Sequence, residues 1–398
     1  MNINNVSLVK KDVCTGCSAC YNSCSFNAIS MESDKEGFLY PLIDIKKCTS
    51  CGVCYKICPA KDEIDKDNEI IKVYAGQCKD KDLLMRSSSG GIFASIANYI
   101  LESEGVVFGC CQDDKFNIKH ISIKNKDELY KLQGSKYIQS DVGKTYYEAK
   151  QYLLDNKLVL YCGTPCQIDG LKCYLDKKYY NLITIDLVCH GITNNKLFKD
   201  YIDFYEIRNS IKITEYKFRH KDKKNLYYHG LMTFVKNNRI RKKRLLNNRD
   251  LYSYLYIYGY NHRLSCGKCK YASIYRNSDL TIGDYWGLET VHPELDGTKG
   301  FSVILVNTKY GENLISKADI NIYNSSVDKA IKRNPNMIKS HGVNLERRFF
   351  FELYVNQGIE GVINYYYKKM RAKFFINSIK NIIPIRIRRA IKRIFKRG

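Results

Sequence analysis

Two stretches, CTGCSACYNSC at residues 14–24 and CTSCGVCYKICP at residues 48–59, decide how the first part of the chain is read. Both space their cysteines as C-x2-C-x2-C-x3-C: Cys14, Cys17, Cys20 and Cys24, then Cys48, Cys51, Cys54 and Cys58. Three cysteines at two-residue gaps wrap one tight loop around three corners of an iron–sulfur cubane. The fourth, three residues on at the start of a short helix, reaches across to another cubane. Zinc sites usually bring cysteines in separated pairs to a tetrahedron, and the third close cysteine would be left over. The expected ligand sets are therefore crossed. Cys14, Cys17, Cys20 and Cys58 surround one [4Fe–4S], and Cys48, Cys51, Cys54 and Cys24 surround the other.

This is the pattern of two-cluster ferredoxins, and it marks residues 1–67 as a first domain. Between the runs, GFLYPLID at 37–44 alternates as a short strand does, which predicts a hairpin over the clusters. Ser25 stands where the first run could have carried a proline, and this removes no ligand. Such a domain passes electrons one at a time.

The chain is 398 residues, 44% hydrophobic and 27% charged, which excludes a wholly disordered or collagen-like protein. No window approaches 18 consecutive apolar residues, and the N-terminus lacks the apolar core of a secretory signal. A cytoplasmic protein is expected, and there 17 cysteines point to metal rather than to disulfides. The formal charge is +24, and it is uneven. Residues 1–67 are near neutral, whereas residues 368–398 hold 12 basic and no acidic side chains.

From about residue 73 strands and helices alternate, which predicts a mixed α/β domain. VVFG at 106–109, LVLYCG at 158–163, LITIDLVC at 182–189, LTIGD at 280–284 and FSVILVN at 301–307 read as buried strands. Helical stretches are expected near 167–175, 194–206 and 310–317. There is no GxGxxG dinucleotide fingerprint. SSSGG at 87–91, ahead of the apolar helix IFASIANYIL, suits either an anion at a helix start or a plain N-cap. Cys166 in GTPCQ, Cys189 in LVCHG, and Cys266 and Cys269 in LSCGKC form another constellation. The first two follow predicted strands and so converge at one sheet edge, and the C-x2-C pair chelates from one turn. Four thiolates there suit a third [4Fe–4S] or zinc. Cys78, Cys110, Cys111 and Cys173 read as core residues, with Cys162 an ambiguous substitute ligand.

Taken in order, SSSGGIFASIANYIL (87–101), GSKYIQS (134–140), GTPCQIDGL (163–171), LVCHG (187–191), LSCGKC (264–269) and DLTIGDYWG (279–287) resemble the coenzyme F-420 (deazaflavin) hydrogenase/dehydrogenase beta-subunit family. That family includes ferredoxin-dependent flavin reductases acting on chlorophyll pigments, and members in polysaccharide-synthesis settings. The resemblance implies FAD, a [4Fe–4S] close to it, and a reductase or dehydrogenase role. It places Ser89, Gly90 and Gly91 at FAD phosphates. Ser135, Lys136 and Tyr137 fall at the flavin or its redox partner, and Cys166, Cys189, Cys266 and Cys269 around the proximal cluster. Read locally, Lys136 is equally a solvated lysine, Asp284 and Trp286 turn and core residues, and His190 a proton donor or a structural histidine. No catalytic residue is singled out. A flavin exchanges electrons in pairs with a hydride carrier and singly with clusters, so the implied order is donor, flavin and clusters, in one direction or the other. A non-catalytic electron-transfer subunit is the competing expectation.

The expected architecture is a two-cluster ferredoxin-like domain (1–67), a mixed α/β flavin and iron–sulfur domain (73–310), a helical extension (311–367) and a basic amphipathic tail (368–398). In the tail, Phe375, Ile379, Ile382 and Ile383, and after Pro384 Ile387, Ala390, Ile391, Ile394 and Phe395, follow helical spacing. Such a segment suits the inner face of an anionic membrane, a packed helix or, least well, nucleic acid. The other expected partners are a ferredoxin or partner subunit and a small redox substrate.

Overall fold

Left-handed backbone positions bend the N-terminal unit around its cysteines. Gly16 and Ser18 have positive φ in the first run, and Ser50 and Gly52 repeat this at the matching places in the second. A short helix follows each pair, α1 (Ala19–Ser23) and α2 (Val53–Lys56). Between them β1 (Ile29–Ser33) and β2 (Leu39–Ile43) pair antiparallel, so the expected hairpin is present. The structure, a computed structural model, describes residues 5–64, 70–222, 229–246 and 250–382, with side chains as far as 373.

The chain then lays down β3 (Lys72–Cys78), β4 (Val106–Gln112), β5 (Ile118–Ile123), β6 (Val159–Gly163) and β7 (Leu182–Leu187). A separate meander follows, β8 (Lys212–His220), β9 (His229–Lys236) and β10 (Arg239–Leu246), before β11 (Leu280–Asp284), β12 (Ser302–Val306) and β13 (Ile320–Asn324). Asn237 and Asn238 both have positive φ, the two-residue turn that matches the twist of a hairpin. The other strands form one eight-stranded sheet in the order β13-β3-β12-β11-β7-β6-β4-β5. Its centre, β11-β7-β6-β4, is parallel, and both flanks are antiparallel. VLYCG in β6 is buried along its whole length, as a parallel strand covered on both faces must be, and SVILV in the antiparallel β12 is buried likewise.

Helices cover the sheet: α3 (Lys81–Arg86), α4 (Ile92–Glu102), α5 (Thr145–Leu154) and α6 (Pro165–Leu175), then α7 (Asn195–Asn209) and α8 (Leu251–Ile257). α9 (Leu288–Val291), α10 (Lys309–Lys317), α11 (Val327–Ile331) and α12 (Arg347–Ile382) complete it. The apolar face of α4 buries Ile92, Ile96, Ile100 and Leu101, each worth about 1.5–3 kcal/mol against exposure. A second core joins the inner face of the meander to α7, α8 and α12 through Phe198, Tyr216, Phe218, Tyr252, Phe350 and Tyr366.

The expected boundary at residue 310 falls inside the sheet, because β13 pairs with β3. α12 breaks at Gly358, which has positive φ and extended ψ. The basic tail begins on this helix: Met370 is buried, and the Lys373 ammonium lies 3.5 Å from the centre of the Tyr258 ring. The remaining tail positions, from Phe375 on, lie outside the residues whose side chains are described. No helix among the described residues is long and apolar enough to cross a membrane.

The N-terminal unit seats on α6 at Gly170, where a Cβ would lie 2.9 Å from both Cβ and Sγ of Cys17. Gly170→Ala is expected to destabilise the fold by the roughly 1–3 kcal/mol that overpacked contacts cost, and so to lower the urea midpoint. An unchanged midpoint would show that the contact relaxes freely.

Candidate functional site

The N-terminal thiols gather in two groups. Burial pushes the Cys17 thiol well up, and Cys20, Cys58 and Cys14 add to the rise. Cys20 is raised by burial and by Cys14, Cys58 and Cys54. Burial raises Cys54 as well, with Cys51, Cys24 and Cys48 as its charged neighbours. The neighbourhoods thus cross between runs: Cys58 keeps company with the first, Cys24 with the second. Backbone amides point at these sulfurs. Ala28 N lies 3.3 Å from Cys24 Sγ, and the amides of Ala19, Tyr21, Val6 and Ala60 favour the ionised forms of Cys17, Cys20, Cys54 and Cys58. Cys51 alone of the eight is exposed.

The carboxyl edge of the parallel strands collects the other candidates, as open α/β sheets do with their ligands. After β6, Thr164 and Gln167 form a capping box and Pro165 starts α6, which fixes Cys166 in its first turn. Thr164 Oγ1 lies 3.2 Å from Cys166 Sγ. After β7, the Gly191 amide donates to Cys189 Sγ at 3.5 Å. LSCGKC forms a 3-10 turn, Leu264–Lys268. Burial pushes Cys166 up to about 11 despite Thr164, with Cys269 adding to it. Burial, Cys269 and Cys166 push Cys266 up to about 12. Cys189 rises well above its usual range through burial and through Cys266, Cys166 and Cys269. These four thiols form a third group. Cys162 stands apart from it, beside Asp186, Cys110 and Lys136.

Among the described residues no three His, Cys, Asp or Glu side chains stand where they could hold a single metal ion. A cubane asks for something looser, one thiolate on each of four corner irons. The donor chemistry therefore fits: three groups of four thiols, ringed by amide and hydroxyl donors.

The flavin candidates occupy the same edge. The 87–91 loop sits on β3 and β12: Ser89 Oγ donates to Phe301 O (2.9 Å) and the Gly90 amide to Ser302 Oγ (3.0 Å). A Cβ on Gly90 would come within 2.3 Å of the Gly76 carbonyl, so this glycine has a packing reason of its own. Gly91, with positive φ, is the N-cap of α4. The Ser135 amide donates to Ser88 Oγ at 2.6 Å, which joins the two candidate stretches. Lys136 is not a solvated lysine: its ammonium is spent on the carbonyls of Cys110, Lys131 and Gln133. Tyr137 stacks on Tyr256, with centroids 4.4 Å apart, and burial raises its pKa.

Sequence reading missed two cations of this region, Arg219 and Lys221. Lys221 is 5% exposed and donates to the carbonyls of Leu84 and Ser89; burial and Arg219 push its pKa down to about 7. Arg219 pairs with Asp284 and lies over the Trp286 ring. Burial lowers His190, which has Asp284, His341 and Arg219 as neighbours. In sequence Arg219 and Lys221 belong to RHKDKK, which looks like a solvated charge run. Asp284 Oδ1 is buried without a hydrogen-bond partner, and a Cβ on Gly134 would meet open space. Stacked rings and two cations fit a planar, phosphorylated group such as FAD, and the unsatisfied Asp284 oxygen suits a hydroxyl or N–H donor on such a group rather than its phosphates.

Arg263, directly before LSCGKC, was also missed. It is 1% exposed and ties the third group to the N-terminal unit: Nε donates to Cys14 O (2.9 Å) and Nη2 to Leu39 O (3.0 Å).

Two family models for the coenzyme F420 hydrogenase/dehydrogenase beta subunit match the chain, the amino-terminal one over residues 73–145 and the carboxyl-terminal one over residues 156–329. Residues 13–61 match "4Fe-4S dicluster domain". No curated protein matches the chain. Among solved structures, one chain of the F420-reducing [NiFe] hydrogenase complex from Methanosarcina barkeri, a xenon derivative, is 13% identical. It has a TM-score of 0.42, with 75% of this chain and 91% of that chain covered.

The strand end carrying Cys166 is braced by His120. Its Nε2 bonds the Cys162 carbonyl at 3.0 Å and so carries the proton, leaving Nδ1 to accept from Ser140 Oγ at 2.7 Å. Burial pushes its pKa from 6.5 down to about 4. The folded protein keeps His120 neutral where the unfolded chain binds a proton. Its contribution is thus complete above pH 6.5 and lost as the pH falls to about 4, about 3 kcal/mol in all. Anaerobic urea titrations at several pH values should show that slope, reduced in His120→Gln; equal slopes would assign it elsewhere.

Proposed function

The chain belongs to the coenzyme F420 hydrogenase/dehydrogenase beta subunit family, and we propose that it is an iron–sulfur flavoprotein within it, an electron-transfer oxidoreductase with three [4Fe–4S] clusters and FAD. The observation that carries this reading is the gathering of twelve cysteines into three groups of four, the third of them beside the 87–91 loop's sheet edge.

In this proposal Cys14, Cys17, Cys20 and Cys58 hold one cluster, Cys48, Cys51, Cys54 and Cys24 the next, and Cys166, Cys189, Cys266 and Cys269 the third. FAD is held along Ser89, Gly90, Gly91, Ser135, Lys136 and Tyr137. Bound there, the flavin would supply the exchange between paired and single electrons, and the clusters single-electron capacity. The protein's own part is physical. Lys221 and Arg219 supply positive charge for phosphates, while Lys136 clamps three carbonyls and fixes the Ser135–Tyr137 segment. Tyr137 and Tyr256 form a dry wall toward Cys189 and Cys266, which bear on Tyr256. α6 then spans the distance to the N-terminal unit, with Cys166 in its first turn and Gly170 against Cys17. The redox partner, a ferredoxin or a partner subunit, meets the second N-terminal group, where Cys51 is exposed.

One observation favours the relay-subunit reading. The Gly90 amide and the space beside it are already taken by β12 and β3, so the loop has a role without FAD. Anaerobic purification decides between them. The expected yield is about twelve irons, from three cubanes of four, with one FAD per chain. Cys266→Ser with Cys269→Ser should remove about four irons and leave the N-terminal eight. Clusters without flavin would establish the relay subunit, and unchanged iron in the double variant would refute the third cluster.

For the tail, charge and periodicity support contact with an anionic membrane, each basic residue adding about 1 kcal/mol near such a surface. Deleting residues 383–398 should abolish co-sedimentation with anionic vesicles and leave iron content intact. Equal sedimentation of both forms would reject that contact.

A further inference from the structure

We propose that the start of α12 is a latch that fixes the N-terminal cysteine unit on the α/β domain. Arg347 is its positioning residue, and Glu36, at the tip of the β1–β2 hairpin, is the group it grips. The inference goes beyond the cofactor reading of the thiol groups and rests on that reading for only one of its two measurements.

The hairpin tip is seated on three separate elements. The Glu36 carbonyl accepts from Asn194 Nδ2 (2.9 Å), the N-cap residue of α7. Gly37 has positive φ, and a Cβ there would fall 2.5 Å from Asn194 Oδ1, so the tip lies flush on that cap. Arg263 Nη2 donates to the Leu39 carbonyl at 3.0 Å. Phe38 has no exposed surface. Its ring meets Phe351 of α12, with centroids 5.7 Å apart. The guanidiniums of Arg263 and Arg347 lie 5.6 and 5.9 Å from its centre.

Arg347 joins three parts of the chain at one buried guanidinium. Its Nε donates to the carbonyl of His262, two residues before the LSCGKC turn, at 2.6 Å. Nη1 donates to Glu36 Oε1 at 3.2 Å, and Nη2 to Glu36 Oε2. The cation also sits 4.4 Å from the centre of the Phe351 ring. A planar fork making two bonds to one carboxylate fixes direction as well as distance. Packing of Phe38 on Phe351 alone would give no such orientation. The latch residues of α12 lie beyond residue 329, where the carboxyl-terminal family match ends. Electron exchange between two centres falls steeply with the gap between them, so a unit held in one place passes electrons at one rate. Gly170 sets how near the first cysteine loop comes, and Arg347 opposes its lifting away.

The test uses the full-length holoprotein, prepared anaerobically. Hydrogen exchange is read by mass spectrometry over the hairpin, residues 29–43. In Glu36→Gln, which keeps the side chain's size and removes its charge, the hairpin amides should exchange roughly tenfold faster, the effect of about one charge-assisted hydrogen bond. Arg347→Gln should do at least as much, and Glu36→Asp, which keeps the charge, should recover most of the protection. EPR of the fully reduced protein gives the second measurement. Magnetic coupling between the first N-terminal cluster and the sheet-edge cluster should weaken in Glu36→Gln and return in Glu36→Asp. Unchanged hairpin exchange in Glu36→Gln would overturn the latch. Faster exchange with unchanged coupling would overturn the positioning role. Glu36, with its side chain 29% exposed, decides the matter if Arg347→Gln fails to fold. Only about eight irons in the unaltered protein would refute the sheet-edge cluster, and the latch would then be judged on hydrogen exchange alone.

Discussion

The contact between Cys17 and Gly170 sets the spacing on which the rest of the structure depends. A helix presents a side chain on every face except where it carries glycine, and there its backbone comes within reach of a neighbour. Gly170 lets the first cysteine loop lie directly on α6. One turn earlier on the same helix, about 6 Å along its axis, stands Cys166. Two thiol groups from distant parts of the chain are thereby held on one short rigid element. Around that seat, Asp169 accepts from the Tyr271 hydroxyl and from Asn277 Nδ2 (2.7 Å), and Lys270 donates to the carbonyls of Pro59 and Asp62. The interface is polar at its rim and closed at its centre.

The eight-stranded sheet performs a second convergence. Its parallel strands end on one edge, and each delivers something different: the carbonyl of Cys110 to Lys136, Cys166 after β6, Cys189 after β7, and Asp284 and Trp286 at the end of β11. The antiparallel flank adds Ser302, which receives the Gly90 amide. Stretches far apart in sequence meet there because strand direction, not sequence distance, decides which loops are neighbours.

Much of this was legible before folding. The cysteine spacing announced the dicluster domain that residues 13–61 match, and the apolar runs located β6, β7, β11 and β12 to within a residue or two. Other elements carried no local signal. β8 and β10 are rich in charge because one face of their sheet, or the whole edge, meets water, so their pattern reads as loop. β13 was absorbed into a helical extension, since INIYN is short and mostly exposed. Residues that act through burial were hardest to see. Lys221 and Arg276 look in sequence like ordinary surface cations, and only the fold takes them out of water; Lys136, half-buried, has its ammonium spent on backbone carbonyls. Gly90 was the opposite case: a glycine that suggests a ligand is required first by the carbonyl of Gly76.

The uneven exposure of the thiols also gives the molecule an order of injury. Oxidants in solution attack sulfur that they can reach, and Cys51 is the exposed cysteine of the N-terminal eight, while Cys17, Cys20, Cys54 and Cys58 are buried. Damage by air would begin at the outer corner of the second N-terminal group, and the first group, where Cys17, Cys20 and Cys58 are buried while the sheet-edge thiols are all half-buried, would be the last to suffer. A preparation exposed briefly to oxygen would then be a mixture with a damaged outer site and an intact inner one, and its age could be read from which site has gone.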